Sequence, residues 1–132
     1  METENTRIRG KKAEEFVKKY LLRRGYEIIE ENFEVHNLGE IDLIARKKGM
    51  VVIVEVRSRK KVVLQINPLE TVKRPKRSRI IKTTAVFLSK NKEVVKTMRE
   101  LRFDIASIIV TDKGKYRLRY LEEAFQAKDS WL

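Results

Sequence analysis

Apolar positions along the chain follow two periods. Between Gly10 and Arg24, Ala13, Phe16, Val17, Tyr20 and Leu21 recur at i, i+3, i+4, i+7 and i+8, the single stripe of an amphipathic helix. Gly25 is well placed to end it. The period then drops to two. Tyr26–Glu30 and Asn32–His36 read as one bent strand, and Asn37-Leu38-Gly39 turns the chain into a hairpin. In that hairpin Ile41, Leu43 and Ala45 alternate with Asp42, Ile44 and Arg46. After a turn at Lys48-Gly49, Val52, Val54 and Val56 alternate with Val51, Ile53, Glu55 and Arg57.

From Ser58 to Val72 the pattern is weak and broken by Asn67-Pro68, which suits either a loop or a bent strand extension. A second helix is predicted from Pro75 to about Ser89, with Ile81, Ala85 and Leu88 inward, widened by Ile80, Thr84 and Phe87. Asn91–Glu100 is a charged connector with a helical turn through Val94, Val95 and Met98. Leu101–Val110 is apolar enough to be a strand covered on both faces. Asp112–Lys115 turns into an edge strand over Tyr116–Leu121, and a tail follows in which Phe125 and Trp131 can dock on the core or on a partner. Helix, three antiparallel strands, helix and two strands predict one α/β domain. Its mixed central sheet is flanked by helices, with a core over about 10–121 and a tail over 122–132.

The hairpin carries the candidate chemistry. A two-residue loop at Lys48-Gly49 sets Ile44 opposite Ile53, Asp42 opposite Glu55 and Glu40 opposite Arg57, all on one face; a one-residue slip would part the acids. Carboxylates facing each other about 5 Å apart at Cβ repel unless a cation intervenes. One reading is solvated charge with Arg57 paired to Glu40 or Glu55; the other is a divalent ion, since hard cations take carboxylate oxygens. Glu14, beside the helical stripe, is either a salt-bridged flank or a third acid reaching the hairpin. His36, the lone histidine, reads as a surface residue; Asp104 either joins the acidic cluster or, the favoured reading, is a surface or capping partner of Arg102.

Composition adds a partner. Lys and Arg number 31 against 19 Asp and Glu, a net charge of +12, which points to a polyanion and to nucleic acid first. A thermophile-like surface would explain many charges of both signs but not the excess of one. Lys73, Arg74, Lys76, Arg77, Arg79 and Lys82 crowd the start of the second helix, below Arg57, Arg59, Lys60 and Lys61. Cations there oppose the helix dipole, and phosphates would relieve them. The chain lacks cysteine, which excludes thiolate metal sites and disulfides. No apolar run reaches membrane-spanning length, so a cytoplasmic protein with no membrane partner is expected.

Gly10-x-x-Ala13-Glu14, Leu21, Gly25-Tyr26, Asn32-Phe33, Gly39-Glu40-Ile41-Asp42-Leu43-Ile44-Ala45, Val54-Glu55-Val56-Arg57-x-Arg59, Pro68-x-Glu70-x-Val72, Lys76, Arg102-Phe103-Asp104 and Glu123-Ala124-Phe125 occur in this order. In these the chain resembles the YraN family of small bacterial proteins. More distantly it is similar to archaeal Holliday-junction resolvases and the PD-(D/E)XK nucleases. The resemblance implies a restriction-endonuclease-like fold and hydrolysis of phosphodiesters in structured or branched DNA, DNA being favoured over RNA. It implies Mg²⁺ or Mn²⁺ held by Asp42, Glu55 and the Val56 carbonyl, with Glu14 completing the acidic cluster and Arg57 as a catalytic cation. Arg59, Lys73, Arg74, Lys76, Arg77 and Arg79 would bind nucleic acid, and the resolvase likeness adds a homodimer by analogy. One departure stands out: the nucleases' lysine is Arg57 here, a poor general base because arginine keeps its proton. A nuclease-derived module that binds without cutting, and a basic protein-interaction adaptor, are the alternatives.

Overall fold

The computed structural model describes residues 4–60 and 73–127, with side chains over 10–59 and 73–127. Its elements are α1 (Glu4–Arg23), β1 (Glu27–Val35), β2 (Gly39–Lys47), β3 (Met50–Lys60), α2 (Arg74–Lys90), α3 (Lys92–Thr97), β4 (Glu100–Val110) and β5 (Tyr116–Phe125). The strands form one mixed sheet in the order β1-β2-β3-β4-β5. Only β3 and β4 run parallel, paired from Met50–Glu100 to Lys60–Val110. A parallel pair needs a long crossover, and α2 and α3 lie within it. This α/β architecture is the one expected, consistent with a restriction-endonuclease-like fold.

The sheet has an apolar layer on each face. Ala13, Val17 and Leu21 of α1 pack on Leu43, Ala45, Val52, Val54, Ala106 and Ile108. Ile80 and Phe87 of α2 pack on Ile41, Ile44, Val51, Ile53, Phe103, Ile105 and Phe125. Val51 to Val54 therefore feed the two layers alternately, and Phe103–Ile108 is buried throughout. Helix α1 ends as predicted: Gly25 N–H donates to the Leu22 carbonyl and Tyr26 N–H to the Leu21 carbonyl, both at 3.0 Å. With Gly25 at φ +89°, that is a Schellman cap.

Four sequence expectations shift. Helix α1 starts at Glu4, six residues before the predicted start. Phe16 is 37% exposed, at the rim of its stripe, edge-on to Tyr116 with ring centroids 5.6 Å apart. The buried side of α2 is Ile80, Thr83, Thr84 and Phe87, while Ala85 is exposed. The two threonines donate their hydroxyls to the Arg79 and Ile80 carbonyls at 2.7 and 2.8 Å, so their methyls can face the core at no polar cost. Strand β5 runs past Leu121 to Phe125, which is 4% exposed in the α2-side core, stacked on Phe103. Of the weak stretch after Ser58, residues 58–60 extend β3, and the remainder, like Trp131, falls outside the described residues.

At Gly39 helix α2 comes close to the hairpin. A Cβ there would meet the Thr83 hydroxyl at 2.8 Å and Arg79 Cβ at 3.5 Å. Gly39→Ala is expected to cost on the order of 1–3 kcal/mol in urea unfolding. Adding Thr83→Ala should recover part of that loss, and an unchanged deficit in the double variant would contradict the packing.

Candidate active site

The hairpin forms in the predicted register. Lys47 pairs with Met50 and Ile44 with Ile53 across a turn in which Lys48 and Gly49 have φ +48° and +82°. The paired ladder stops at Leu43–Val54, one step short of Asp42–Glu55. Beyond it the strict alternation of β2 does not continue. Ile41 packs with Ile44 on the α2 side, whereas strict alternation would put it with Leu43 and Ala45 on the α1 side. The pleat therefore breaks at Asp42, opposite Asn32, whose φ of +50° marks a matching distortion in β1.

In the fork that opens, the Asp42 carboxylate takes the place of a strand partner. Its Oδ2 accepts the Val56 N–H at 2.8 Å. Glu55, 8% exposed, turns toward α2, where Lys76 Nζ lies 2.7 Å from its Oε1. Glu40 does not meet Arg57. It lies with Glu14 of α1, and Asn32 joins them: with its amide nitrogen facing the acids, Asn32 is 3.1 Å from Glu40 Oε1 and 3.2 Å from Glu14 Oε1. Four acids from three elements thus share one field. Burial, then the charge of Glu55, push the Asp42 carboxyl up to about 8, against a lowering by the Val56 N–H. Burial and Glu40 raise Glu14, and burial, Glu34 and Glu55 raise Glu40.

Among the described residues, no three acids close on one point tightly enough to enclose a metal ion unaided. The donors nonetheless suit Mg²⁺ or Mn²⁺, which are hard and usually retain several waters beside one or two carboxylates. Their shared excess of negative charge, answered at Glu55 by Lys76, is the condition such an ion relieves.

The basic residues separate into roles that spacing could not assign. Lys76 serves the acids. Arg77 lies 5.8 Å over the Phe125 ring, whereas Lys73, Arg74 and Arg79 are exposed. Arg57 Nη1 is buried with no hydrogen-bond partner among the described residues, and burial followed by Arg59 lowers its pKa. Helix α2 has no side-chain cap and no acid in its first turn. His36 is exposed, and no helix among the described residues is long and apolar enough to cross a membrane.

Sequence reasoning gave Asn32 no role beyond the family pattern, and for Asp104 it had the partnership with Arg102 right and the surface placement wrong. Asp104 is 1% exposed, neither a surface group nor a member of the acid cluster. It accepts from Arg102 Nε and Nη2, both at 2.9 Å, from the Tyr120 hydroxyl at 2.6 Å and from the Glu123 N–H at 2.9 Å. A signal existed: the alternation of β5 fails at Glu122-Glu123, where the chain needs an acceptor for an unpaired N–H.

A family model described as "Uncharacterised protein family UPF0102" matches residues 13–108. The chain belongs to the UPF0102 family. This is the YraN family of the sequence resemblance, and the match spans the second half of α1, the hairpin, α2 and most of β4. A UPF0102 protein of Dictyoglomus turgidum is 38% identical over 122 residues, covering 92% of this chain and 99% of that protein. Another, of Persephonella marina, is 41% identical over 102 residues, 77% of this chain and 84% of its own length. A third, of Clostridioides difficile, is 31% identical over 121 residues, 92% of this chain and 99% of that protein.

Proposed function

We propose that this UPF0102 protein is a divalent-metal-dependent endonuclease that hydrolyses phosphodiester bonds, with structured or branched DNA as the favoured substrate. The observation that carries the reading is the half-buried Asp42 at the hairpin fork, crowded by Glu55, Glu14 and Glu40 inside a strongly basic domain. Asp42 and Glu55 would hold Mg²⁺ or Mn²⁺, with the Val56 carbonyl and Glu14 as the further ligands the nuclease resemblance implies. When bound, the ion supplies a Lewis acid for the phosphate and a water of lowered pKa.

The chain's own groups do the rest. Arg57 cannot serve as a base, but its buried Nη1, without a hydrogen-bond partner among the described residues, is a donor for a phosphate oxygen. Lys76 reaches Glu55 from α2 and sets a compact ammonium beside the acids, where it can steady the nucleophile and the developing charge. Lys73, Arg74 and Arg79 at the uncapped start of α2 add phosphate contacts. The binding-only alternative draws its support from Arg57 and weakens if Lys76 supplies the lysine. The adaptor alternative loses half its surface, because Phe125 is core.

The test is cleavage of plasmid and branched DNA with Mg²⁺, Mn²⁺ or chelator. Cutting is expected with metal only, and Lys76→Gln should lower the rate roughly 100-fold or more. Lys76→Arg should not restore it, and both variants should still bind DNA in chelator. Metal-independent binding without any cutting would establish the alternative. Wild-type rates in Lys76→Gln would remove Lys76 from the chemistry.

A further inference from the structure

The far end of the hairpin from the acids carries its own concentration of positive charge. There α1 ends, β2 turns into β3 and β4 begins. A cavity of about 600 Å³ opens between the α1–β1 turn and the hairpin tip, lined by Arg23, Arg24, Arg46, Lys47 and Lys48 against one acid, Glu27.

Part of this charge has a structural purpose. Lys47 Nζ donates to the Arg24 carbonyl at 2.6 Å, satisfying the helix end, and lies 5.3 Å over Tyr26. Arg46 holds Glu27 through Nη2 at 2.8 Å, and the Arg24 guanidinium stacks 4.7 Å over Tyr20. Arg23 in the last turn of α1 also complements the helix dipole. Lys48 and Arg99 have no such explanation. Lys48 occupies the turn at φ +48°, and the stem of Arg99 lies along Gly49, whose carbonyl accepts the Arg99 N–H at 2.7 Å. Neither side chain has an ion-pair or hydrogen-bond partner among the described residues, nor has that of Arg23.

From this geometry we infer that the hairpin tip is a second phosphate-binding face, taking the sugar–phosphate backbone of a nucleic-acid segment through Arg23, Lys48 and Arg99. The proposal rests on the nucleic-acid partner inferred above and adds a surface that neither the acid cluster nor α2 provides. The cavity lining is Arg, Lys, Glu and Gly only. It lacks the apolar or aromatic anchor of a protein interface core or of an interfacial membrane helix, whereas charged donors around an open cavity match a phosphate backbone. The tip lies about 20 Å along the strands from Asp42 and Glu55, at about 3.3 Å per residue. That is the length of roughly six base pairs at 3.4 Å each. A segment held at the tip is anchored away from the acids, so the tip governs affinity rather than the chemical step.

The test measures binding of a fluorescent duplex by anisotropy in chelator across a salt series, for the full chain and two variants. The tip variant is Arg23→Gln/Lys48→Asn/Arg99→Gln, asparagine being chosen because it tolerates the left-handed backbone of residue 48. The comparison variant is Lys73→Gln/Arg79→Gln on α2. The tip variant should bind roughly 10- to 100-fold more weakly at low salt. Its slope of log K against log salt should be shallower by about 2–3, roughly one for each phosphate the variant leaves unneutralised. Its melting temperature, read by circular dichroism, should fall by no more than the few degrees expected from losing the Arg23 charge at the helix end. Unchanged affinity and slope in the tip variant, with a loss in the α2 variant, would overturn the second face and leave the nuclease reading standing. Absence of duplex binding by wild type would overturn both. Anionic vesicle binding lost in the tip variant while duplex binding persists would assign the face to a membrane surface instead.

Discussion

Asp42→Asn is expected to abolish metal-dependent cleavage and, in chelator at pH 8, to make the protein more stable. Asparagine keeps an oxygen for the Val56 N–H, which Asp42 now binds at 2.8 Å. It removes the charge that burial and the neighbouring acids oppose. The sign follows from the shift. The Asp42 carboxyl titrates near 3.8 in an unstructured chain and near 8 in the fold, so the folded protein binds its proton more tightly. Its contribution is intact below about pH 4 and is lost as pH rises from there toward 8. Wild type should therefore lose stability across that window. Asp42→Asn should flatten this loss, for a gain on the order of 2–4 kcal/mol at pH 8, or about 5–10 °C in melting temperature. Cleavage should fall by more than the ~10–100-fold that even outer-shell changes cost at metal sites. Thermal melts at pH 5 and pH 8, beside a cleavage assay, read both effects. A variant less stable than wild type at pH 8 would mean that the acids are better compensated than the geometry indicates.

The largest loss of stability is expected from Asp104→Ala. Its carboxylate is buried beneath β5 and answers four donors from three residues, two of them on Arg102, whose side chain is only 15% exposed. Removing it leaves the Tyr120 hydroxyl and the Glu123 N–H without their acceptor, and leaves the Arg102 guanidinium to Glu122 Oε2 at 3.5 Å and the Tyr26 hydroxyl at 3.0 Å. Breaking a buried ion pair on one side costs about 3–5 kcal/mol, a large part of the 5–15 kcal/mol that holds a typical domain. Burial and then the Asp104 charge raise the Tyr120 phenol above its usual range, so it remains a donor at every working pH. Arg102→Met/Asp104→Ala should be more stable than Asp104→Ala alone, because the charge that lost its carboxylate goes too. Urea denaturation measures the comparison. A cost below about 1 kcal/mol for Asp104→Ala would show that Arg102 reaches water through the neighbouring cavity beside Tyr20 and Tyr26.

The sequence made the scaffold legible because period and punctuation agree over most of it. Lys48-Gly49 set a register that holds to Leu43–Val54, and the apolar density of Phe103–Ile108 marked a strand covered on both faces. The candidate site was legible as a set of residues but not as a geometry. Strict alternation cannot announce a pleat break, and the break at Asp42 moves Glu40 to Glu14 and leaves Asp42 in the fork. Lys76 was indistinguishable from its basic neighbours, since only the crossover that sets α2 on the sheet brings it to Glu55. Thr84 was legible as inward-facing, but Thr83 counted as polar, although a hydroxyl satisfied within the helix makes it core. Asp104 read as surface because its partners Tyr120 and Glu123 come from the following strand.

The central claim is that Asp42 and Glu55 converge on a divalent ion, and calorimetric titration of Mn²⁺ into wild type and Asp42→Asn at pH 7.5 tests it most directly. Wild type should give a saturable heat that varies with the ionisation enthalpy of the buffer, because the ion displaces the Asp42 proton, and Asp42→Asn should give none. Equal heats from the two proteins would contradict it.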